Sequence, residues 1–495
     1  MKFLLDTNIF IPLEPTSFDD IEEGTGLASE LLRLFASSAH QHYIHPAISK
    51  DIGRDTDLKR KALRQILLKK YPELPEPPPI PSQMESSLGQ VLPDTNDWVD
   101  HQLLAAVTQD AVDFLVTEDV GIHRKAKKLG ISDRVATIPT AISIIHGLFD
   151  TVPPELPAVQ ATKAHLLNKE DPIFESLRAD YGSEFDGWLV KCKREHRDTW
   201  IVMGNQSDYA AIMIVNQEQD PKYRNHGMSG KILKLCTFKV SEKYNEQKYG
   251  ELLLKTIFEY SRRNQYEWLF LEVFPKQEHL IGYLEDFGFE KTGGKSDKGE
   301  FVLSKPMVVD ESDRTTMEAL PFHVRYGPYE AKISNNLCFA IPIKPAYHRL
   351  LFPELEKGQI DLFAGRTPFG NSIRKAYLCH AQSRQICPGA YLLFYRSHDK
   401  QAVMVTGVAE KTLVSDNPDT ISRFVGKRTV YGFEEITEFC GKREVLVILF
   451  RKSRELEPPI GVDELTENRV LARAPQSIVS IQEGALPWLE QRIRK

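Results

Sequence analysis

A short apolar strand runs directly into an acid at residues 2–8, KFLLDTN. The same arrangement returns at residues 114–119, FLVTED, where the run ends at Asp119. Because parallel strands expose their carboxyl ends at one edge of a sheet, this pattern places Asp6 and Asp119 close together. Helical and strand patterns alternate between them, which predicts a parallel sheet covered on both faces. Residues 1–150 are therefore predicted to form an α/β domain with carboxylates at one sheet edge.

A third carboxylate, Asp100, begins a helix-like run at residues 99–109. The helix dipole stabilises a carboxylate in a first turn. Clustered oxygen ligands without histidine or thiol suit a hard cation such as Mg²⁺ or Mn²⁺, which can activate water at a phosphodiester. Each acid alone is more often a turn residue or a helix cap, but the combination points to a metal site.

Three segments of this block resemble the acidic motifs of the PIN-domain nucleases, namely LLDTNIFI, DWVDHQLLAAV and FLVTEDVGI. The resemblance implies a Mg²⁺- or Mn²⁺-dependent endoribonuclease with Asp6, Asp100 and Asp119 as its metal ligands. The second motif of the family usually has a glutamate, where this sequence offers Asp51, which is one methylene shorter. A degenerate PIN domain that only binds RNA is the alternative.

Several residues beside these acids are candidates for RNA binding. The same resemblance makes Asn8 and Thr117 hydrogen-bonding supports at the RNA-binding edge. Arg124 and Lys125 follow the last acid and could neutralise phosphates, although a solvated helix face explains them equally well. The formal net charge of the chain is −6, so RNA binding must use local basic patches.

Two proline clusters interrupt the chain, at residues 72–81 and 152–157. Proline lacks an N–H and fixes φ, so neither cluster can continue a helix or a central strand. The first is predicted to be an extended surface insertion and the second a linker to the next domain.

The middle block, residues 160–306, alternates strands and helices and is predicted to be an α+β domain. A strand ends at Val240, a polar loop follows, and a leucine-rich helix begins at Gly250. A strand, a loop and a helix N-terminus in this order form a site for anions.

This order resembles the GNAT acyltransferases, which implies a site for acetyl-CoA that includes Val240. The family cradles the pyrophosphate of acetyl-CoA in a loop of pattern Q/R-x-x-G-x-G/A. Asn245, Lys248 and Gly250 occupy the three signature places in one register, and Gln247 begins the alternative register. In the first register only Gly250 matches the pattern, and the second register, which places Leu252 last, is no better.

Tyr283 occupies the place of a tyrosine typical of the GNAT family. In an active enzyme it would be the general acid that protonates the leaving thiolate. A half-buried aromatic between helix and sheet is the alternative role.

The last block, residues 336–460, is rich in short strands and is predicted to be a small β-barrel that ends at Pro458 and Pro459. IKP at residues 343–345, LLFY at 392–395 and VTGVAE at 405–410 resemble the ASCH group of the PUA-like superfamily. The resemblance implies a cleft for RNA or a modified nucleotide, with Lys344, Arg374 and Lys375 as candidate contacts. Residues 461–495 are predicted to be a C-terminal appendage.

Three interpretations of the whole chain follow. The first is a metal-dependent endoribonuclease that acts on tRNA or a similar RNA as a toxin or defence protein, with an antitoxin or inhibitor as partner and a homodimer as its assembly. The second is an acetyl-CoA-dependent N-acetyltransferase with RNA-docking domains. The third is a non-catalytic RNA-binding regulator. Scattered cysteines and the lack of a signal peptide or of ~18 consecutive apolar residues predict a cytoplasmic protein without membrane contact.

Overall fold

The computed structural model describes residues 1–14, 16, 25–37, 40–149, 159–204, 208–218, 223, 226–244, 248–355 and 372–494. The chain divides into two compact units. The first unit comprises residues 1–151, 417–427 and 431–440, and the second comprises residues 152–416, 428–430 and 441–495.

The first unit contains a four-stranded parallel sheet in the order β2-β1-β3-β4. Phe3, Leu4 and Leu5 are fully buried, as expected for a strand covered on both faces. The parallel α/β sheet predicted for this block is therefore observed. Its strands are β1 (Lys2–Leu5), β2 (Gln41–Ile44), β3 (Phe114–Val116) and β4 (Val135–Ala136), and its helices up to residue 149 are α1 (Thr7–Leu13), α2 (Thr25–Ser37), α3 (Ile48–Gly53), α4 (Leu58–Leu68), α5 (Ser82–Leu88), α6 (Asn96–Thr108), α7 (Val120–Lys128) and α8 (Ile138–Phe149).

The start of α6 corrects one prediction. Asp100 was expected in the first helical turn, but α6 begins at Asn96 and its N-cap is Thr95, whose hydroxyl accepts from the N–H of Trp98 at 3.2 Å. Asp100 therefore lies beyond the first turn, and Asp97 is the carboxylate nearest the helix start. The sequence alone does not locate this N-cap, because Thr95, Asp97 and Asp100 are all residue types that can cap a helix.

The middle segment forms a seven-stranded mixed sheet in the order β10-β11-β9-β8-β7-β6-β5. Among its strands, β8 and β9 pair in parallel and the other neighbours pair antiparallel. Leu253, Leu254 and Ile257 of α11 are fully buried in the core beneath the sheet. The elements are β5 (Val159–Lys163), α9 (Glu175–Tyr181), α10 (Glu184–Arg194), β6 (Asp198–Met203), β7 (Tyr209–Glu218), β8 (Ile232–Val240), α11 (Tyr249–Arg263), β9 (Trp268–Val273), α12 (Glu278–Glu285), β10 (Glu290–Lys295) and β11 (Phe301–Pro306).

The last segment forms a six-stranded sheet in the order β13-β16-β15-β14-β12-β17. Within the described residues β13 and β17 are its two edges, so the predicted small β-barrel is not confirmed. No described helix is long and apolar enough to cross a membrane. The elements are α13 (Glu311–Thr316), α14 (Ala319–Tyr326), β12 (Cys338–Ile343), α15 (Pro345–Leu351), β13 (Arg374–Cys379), β14 (Tyr391–Arg396), β15 (Ala402–Ser415), α16 (Pro418–Val425), α17 (Phe433–Cys440), β16 (Val445–Gly461), α18 (Val462–Glu467), β17 (Val479–Ser480) and α19 (Leu486–Arg494).

The prolines at 458 and 459 do not end the last long strand, contrary to the prediction. The pairing of β16 with β15 shifts between Val405↔Glu455 and Val403↔Ile460, so the prolines fall in an irregular stretch between two paired stretches. A residue without an N–H is tolerated where the ladder is already interrupted.

Residues of the predicted C-terminal appendage, 461–495, pack into the core of the last segment. Leu486, Leu489 and Ile493 of α19 are buried in the same core as Ala340 and Leu393 of the sheet. The tail therefore completes the hydrophobic core of the last segment.

Helices α16 and α17 belong to the first unit, although they lie between strands of the last segment in sequence. Arg423 of α16 lies 3.1 Å from Asp110 and 3.0 Å from Asp113. The predicted domain bounds of 336–460 include these two helices, which the structure places in the first unit.

Candidate functional site

A gap opens between the two parallel strands in the middle sheet. Strands β8 and β9 pair only over Ile232–Lys234 and Trp268–Phe270. Beyond this point β8 continues to Val240 along β7, and β9 continues to Val273 along β11. Backbone groups of β8 that face the gap have no ladder partner on that side within the described residues, so a ligand or water must satisfy them. The gap can therefore accept an extended polar ligand.

The helix α11 follows β8, one of the two strands that border this gap, in the chain. Its N-cap is Lys248, which adopts a left-handed conformation with φ of 59° and makes no side-chain capping bond. The first N–H groups of a helix lack partners inside the helix, and they attract anions together with the helix dipole. The predicted residues Lys248 and Gly250 thus lie at a helix N-terminus, while Asn245 and Gln247 lie outside the described residues.

The hydroxyl of Tyr283 lies against Gly250. A Cβ atom at position 250 would come within 2.9 Å of Tyr283 Oη, a distance that real Cβ atoms essentially never show. The Tyr283 ring packs against Phe287 with centroids 5.1 Å apart. A glycine at position 250 is therefore what allows the phenol of α12 to reach the start of α11, and the structure brings two predicted site residues together.

The thiol of Cys236 on β8 is not suited to nucleophilic chemistry. Burial raises its pKa to about 12, although the positive charge of Arg197, 3.2 Å away, opposes this effect. A thiol with a raised pKa stays protonated and inert at neutral pH.

Four predicted carboxylates surround the carboxyl ends of β1 and β3 in the first unit. Thr117 Oγ1 donates to Asp6 at 2.6 Å, and Thr7 Oγ1 donates to Asp51 at 3.0 Å. Asn8 Nδ2 donates to Thr117 Oγ1 at 3.1 Å. Thr7, which sequence reasoning missed, is the hydroxyl that orients Asp51. Its position next to Asp6 in the motif was the available signal.

The acids of this edge disfavour each other's charge. Burial raises the pKa of Asp6 to about 7, and repulsion from Asp100 and Asp51 adds to the increase. Burial also raises the pKa of Asp100, although Lys125, which donates to it at 2.7 Å, opposes this change. Perturbed carboxylates in a cluster are typical of functional sites, but structural ion-pair networks also produce them.

Asp6→Asn is expected to stabilise the first unit at pH 8 and not at pH 4. In the folded protein Asp6 keeps its proton up to about pH 7, whereas an unfolded carboxyl ionises near 3.8. The contribution of Asp6 to the free energy of unfolding therefore falls as the pH rises between these values, and it is constant above them. Roughly 4 kcal/mol is the ceiling for such a shift, and we expect a net gain of about 1–2 kcal/mol after the weaker hydrogen bonds of an amide.

Urea denaturation at both pH values measures this gain. Asp94→Asn is the matched control because Asp94 is exposed on the same unit. An equal change in both variants, or a gain at pH 4, would show that Asp6 is an ordinary carboxylate.

The same edge does not fit a metal ion as it stands. In the described part of the chain, no group of three or more His, Cys, Asp or Glu side chains is arranged to hold one. Asp119 instead caps α7 by accepting from the N–H groups of Gly121 and Ile122. Lys125 bridges Asp97 and Asp100 and supplies a positive charge beside these carboxylates. The predicted Mg²⁺ or Mn²⁺ site therefore has no support in this arrangement.

Several residues that were predicted to contact RNA are buried or already paired with carboxylates. Thr117 and Lys375 are both fully buried. Lys125 is held by carboxylates, and Arg374 is partly buried and lies 3.1 Å from Glu410. Arg124 and Lys344 are exposed, and Asn8 is partly buried in the network described above.

An ion-pair cluster that sequence reasoning missed lies in the last sheet. Glu410 accepts from Arg451 Nε at 2.6 Å, from Arg374 Nε at 3.1 Å and from Arg428. The three arginines hold the pKa of Glu410 well below its usual range, against the effect of burial. Since these residues are far apart in sequence, no local pattern reveals the cluster.

Comparison with known proteins identifies the middle segment. Residues 164–289 match the acetyltransferase (GNAT) family. A GNAT family acetyltransferase from Staphylococcus aureus is 11% identical with a TM-score of 0.24, over 30% of this chain and 100% of that chain. A GNAT family acetyltransferase from Elizabethkingia anophelis, solved with acetyl-CoA bound, is 14% identical with a TM-score of 0.22, over 30% of this chain and 97% of that chain.

Solved ASCH structures are also similar to a part of this chain. ASCH from Zymomonas mobilis is 15% identical with a TM-score of 0.23, over 31% of this chain and 94% of that chain. No curated protein matches the chain. The GNAT resemblance of the middle segment is thus confirmed, whereas the PIN resemblance of the first block receives no support from these comparisons.

Proposed function

We propose that this protein is an acetyl-CoA-dependent N-acetyltransferase in which residues 164–289 carry the transfer. The observation that carries the proposal is the approach of Tyr283 to Gly250 at the start of α11, inside the segment that matches the acetyltransferase family. The gap between β8 and β9 supports it, because the chain runs from the end of β8 through a short loop into α11.

The residues present fit acetyl-CoA. The N–H groups at the start of α11, with Lys248 and Gly250, would hold its diphosphate. The edge of β8 as far as Val240 would pair with its amide groups. Acetyl-CoA supplies an acetyl group activated as a thioester.

Tyr283 holds a proton at Oη beside the start of α11. A phenol at this place can deliver the proton to a leaving sulfur, which is the role of a general acid. Cys236 takes no part, because its raised pKa keeps the thiol protonated. The acceptor is an amine on a protein, an RNA-linked amino acid or a small molecule, and the flanking segments would dock RNA.

Transfer of label from radiolabelled acetyl-CoA tests the proposal. The full chain is incubated with a panel of amines: total aminoacylated tRNA, a protein mixture and a polyamine. Labelling of one acceptor class that requires the protein supports an acetyltransferase and names its substrate. If no acceptor is labelled and acetyl-CoA does not bind, the proposal is wrong.

Gly250→Glu is expected to weaken acetyl-CoA binding strongly. The new Cβ collides with Tyr283 Oη, and the carboxylate places a negative charge where the diphosphate would lie. We expect an affinity lower by roughly 100-fold, as for the loss of charge-assisted hydrogen bonds. Gly187→Ala is the control, because nothing lies within 4 Å of a Cβ added at Gly187 in α10.

A metal-dependent endoribonuclease in the first unit is a second candidate. The observation that favours it is the convergence of Asp6, Asp51 and Asp100 near the ends of β1 and β3, with threonine hydroxyls orienting the first two. The arrangement holds no metal group as it stands, so no chemical step is derived from it. RNA, an antitoxin or inhibitor, and a homodimer remain predictions.

Cleavage of a tRNA and mRNA pool by the wild type and by Asp100→Asn distinguishes the two candidates. Discrete cuts that need Mn²⁺ or Mg²⁺ and are lost in the variant would establish a nuclease. Absence of cutting in either metal, or cutting that the variant retains, would remove this candidate.

A further inference from the structure

The start of α11 is bound to the last segment through a buried carboxylate. Glu251, the third residue of α11, is 7% exposed. Its Oε2 accepts from the backbone N–H of Ile373 at 2.8 Å and from that of Arg374 at 3.2 Å, where β13 begins. Hydrogen bonds to a charged acceptor are stronger than bonds between neutral groups. Glu251 therefore attaches the first turn of α11, which contains Gly250, to the last segment.

The end of α12 is bound to the same part of the last segment. Arg451 of β16 is buried, and its Nη1 donates at 2.8 Å to the carbonyl oxygen of Asp286, the C-cap of α12. A cation that bonds the last carbonyl groups of a helix is also favoured by the helix dipole. Arg451 therefore holds the end of α12, three residues after Tyr283.

These two attachments meet at the ion-pair cluster of Glu410. Arg374 and Arg451 lie opposite each other on the paired strands β13 and β16. Both donate to Oε1 of Glu410, at 3.1 and 2.6 Å, from the neighbouring strand β15. A buried polar network whose members are satisfied makes its surroundings rigid. The cluster therefore holds the start of α11 and the end of α12 in a fixed relation to each other.

We propose that the last segment positions the general acid of the transferase, with Arg451 as the positioning residue. This inference rests on the proposed acetyl transfer by residues 164–289. Phe287 links the two groups, because its ring centre lies 5.7 Å from the guanidinium carbon of Arg451 and 5.1 Å from the centre of the Tyr283 ring. A displaced catalytic group loses rate even when the substrate still binds. Arg451 thus acts through Tyr283 and touches neither acetyl-CoA nor the acceptor.

Arg451→Lys in the full chain, alone and combined with Tyr283→Phe, tests this proposal. Lysine keeps the positive charge beside Glu410 but replaces the planar guanidinium with a single nitrogen. At saturating acetyl-CoA we expect transfer to the panel of aminoacylated tRNA, protein mixture and polyamine to slow roughly 10-fold, with acetyl-CoA affinity within about threefold. In Tyr283→Phe the same substitution should change the rate by less than about twofold, because the hydroxyl that it positions is absent.

Arg492→Lys is the matched control for Arg451→Lys. Arg492 also pairs with a glutamate, Glu464, at 2.7 Å and also donates to a carbonyl oxygen, that of Pro458, but it lies on α19. Its replacement should leave the transfer rate unchanged.

Glu251→Gln is a second variant, which keeps the test decisive if Arg451→Lys does not fold. The amide oxygen accepts the two N–H bonds without a charge, so the first turn of α11 is held less firmly. We expect a rate lower by roughly threefold, again only while the Tyr283 hydroxyl is present. Glu259→Gln is its control, because Glu259 lies on the same helix and pairs with Arg262 and Arg263 of that helix.

Amide hydrogen exchange of α12 adds a measurement that does not depend on transfer, and it should be faster in Arg451→Lys than in the wild type. Unchanged exchange, unchanged rates in both Arg451→Lys and Glu251→Gln, or equal rate losses with and without the Tyr283 hydroxyl would overturn the proposal. A wild type that transfers no acetyl group would instead refute the proposed function, and the exchange result would then decide on its own whether the last segment holds α12.

Discussion

Tyr283→Phe is expected to slow acetyl transfer roughly 100-fold while leaving the affinity for acetyl-CoA within about threefold. The substitution removes the hydroxyl that lies against Gly250 and keeps the ring that packs on Phe287. A general acid acts on the leaving group in the transition state, so its loss lowers kcat far more than it changes binding. Single-turnover rates and calorimetry measure the two quantities separately.

Tyr260→Phe is the matched control for this experiment. Tyr260 is a partly buried tyrosine of α11 whose hydroxyl donates to Asp198 at 3.3 Å. Its loss should leave the transfer rate unchanged. If both variants retain the wild-type rate, Tyr283 is a packing residue. If Tyr283→Phe loses acetyl-CoA affinity in proportion to its rate, the hydroxyl serves binding instead.

Glu410→Gln is expected to destabilise the second unit by about 3–5 kcal/mol. Glu410 is 8% exposed and is the shared acceptor of three arginines, of which Arg428 and Arg451 are each 5% exposed. An amide leaves these cations buried without a counter-charge. The free-energy cost of these uncompensated charges is larger than the net stabilisation by the intact ion pairs. Urea denaturation at pH 7, followed by a probe in the second unit, measures the loss.

Glu444→Gln is the control for Glu410→Gln, because the Glu444–Arg384 pair is exposed and should contribute about 0.5 kcal/mol or less. The pKa of Glu410 is lowered in the folded protein. Its contribution to the free energy of unfolding is therefore complete above the ordinary carboxyl pKa of 4.5 and is lost as the pH falls below that value. The difference between Glu410→Gln and the wild type should therefore shrink in acid. Equal losses in the two variants would contradict the role given to the cluster.

The middle segment could be predicted closely from the sequence because its signals are local. The leucines at the start of α11 and the apolar runs of β8 and β9 mark amphipathic and buried elements without reference to distant residues. Gly250 and Tyr283 could be singled out in the same way, since each follows a readable strand, and their roles in a site stay a prediction. Their contact could not be predicted, because it depends on how α11 and α12 pack.

The last segment was less predictable because its features depend on distant pairings. Lys375 reads as a surface cation, yet it is fully buried with its ammonium 5.8 Å from the centre of the Phe352 ring. Pro458 and Pro459 read as a strand end, yet the register shift between β15 and β16 admits them. Local propensity is a weak guide wherever tertiary packing decides the outcome.

The first block shows how a correct pattern can lead to an unsupported function. Asp6 and Asp51 do lie at the carboxyl edge of the parallel sheet, oriented by Thr117 and Thr7. Whether such a cluster holds a metal depends on distances that sequence spacing does not determine. Lys125, predicted to contact RNA, is instead an ion-pair partner of Asp100.

The central claim is that residues 164–289 bind acetyl-CoA at the start of α11. Calorimetric titration of the full chain with acetyl-CoA tests it most directly, because the measurement requires no knowledge of the acceptor. We expect one acetyl-CoA to bind per chain, and we expect this binding to be weakened roughly 100-fold in Gly250→Glu and kept in Gly187→Ala. Absence of binding by the wild type, or binding that Gly250→Glu retains in full, would contradict the claim.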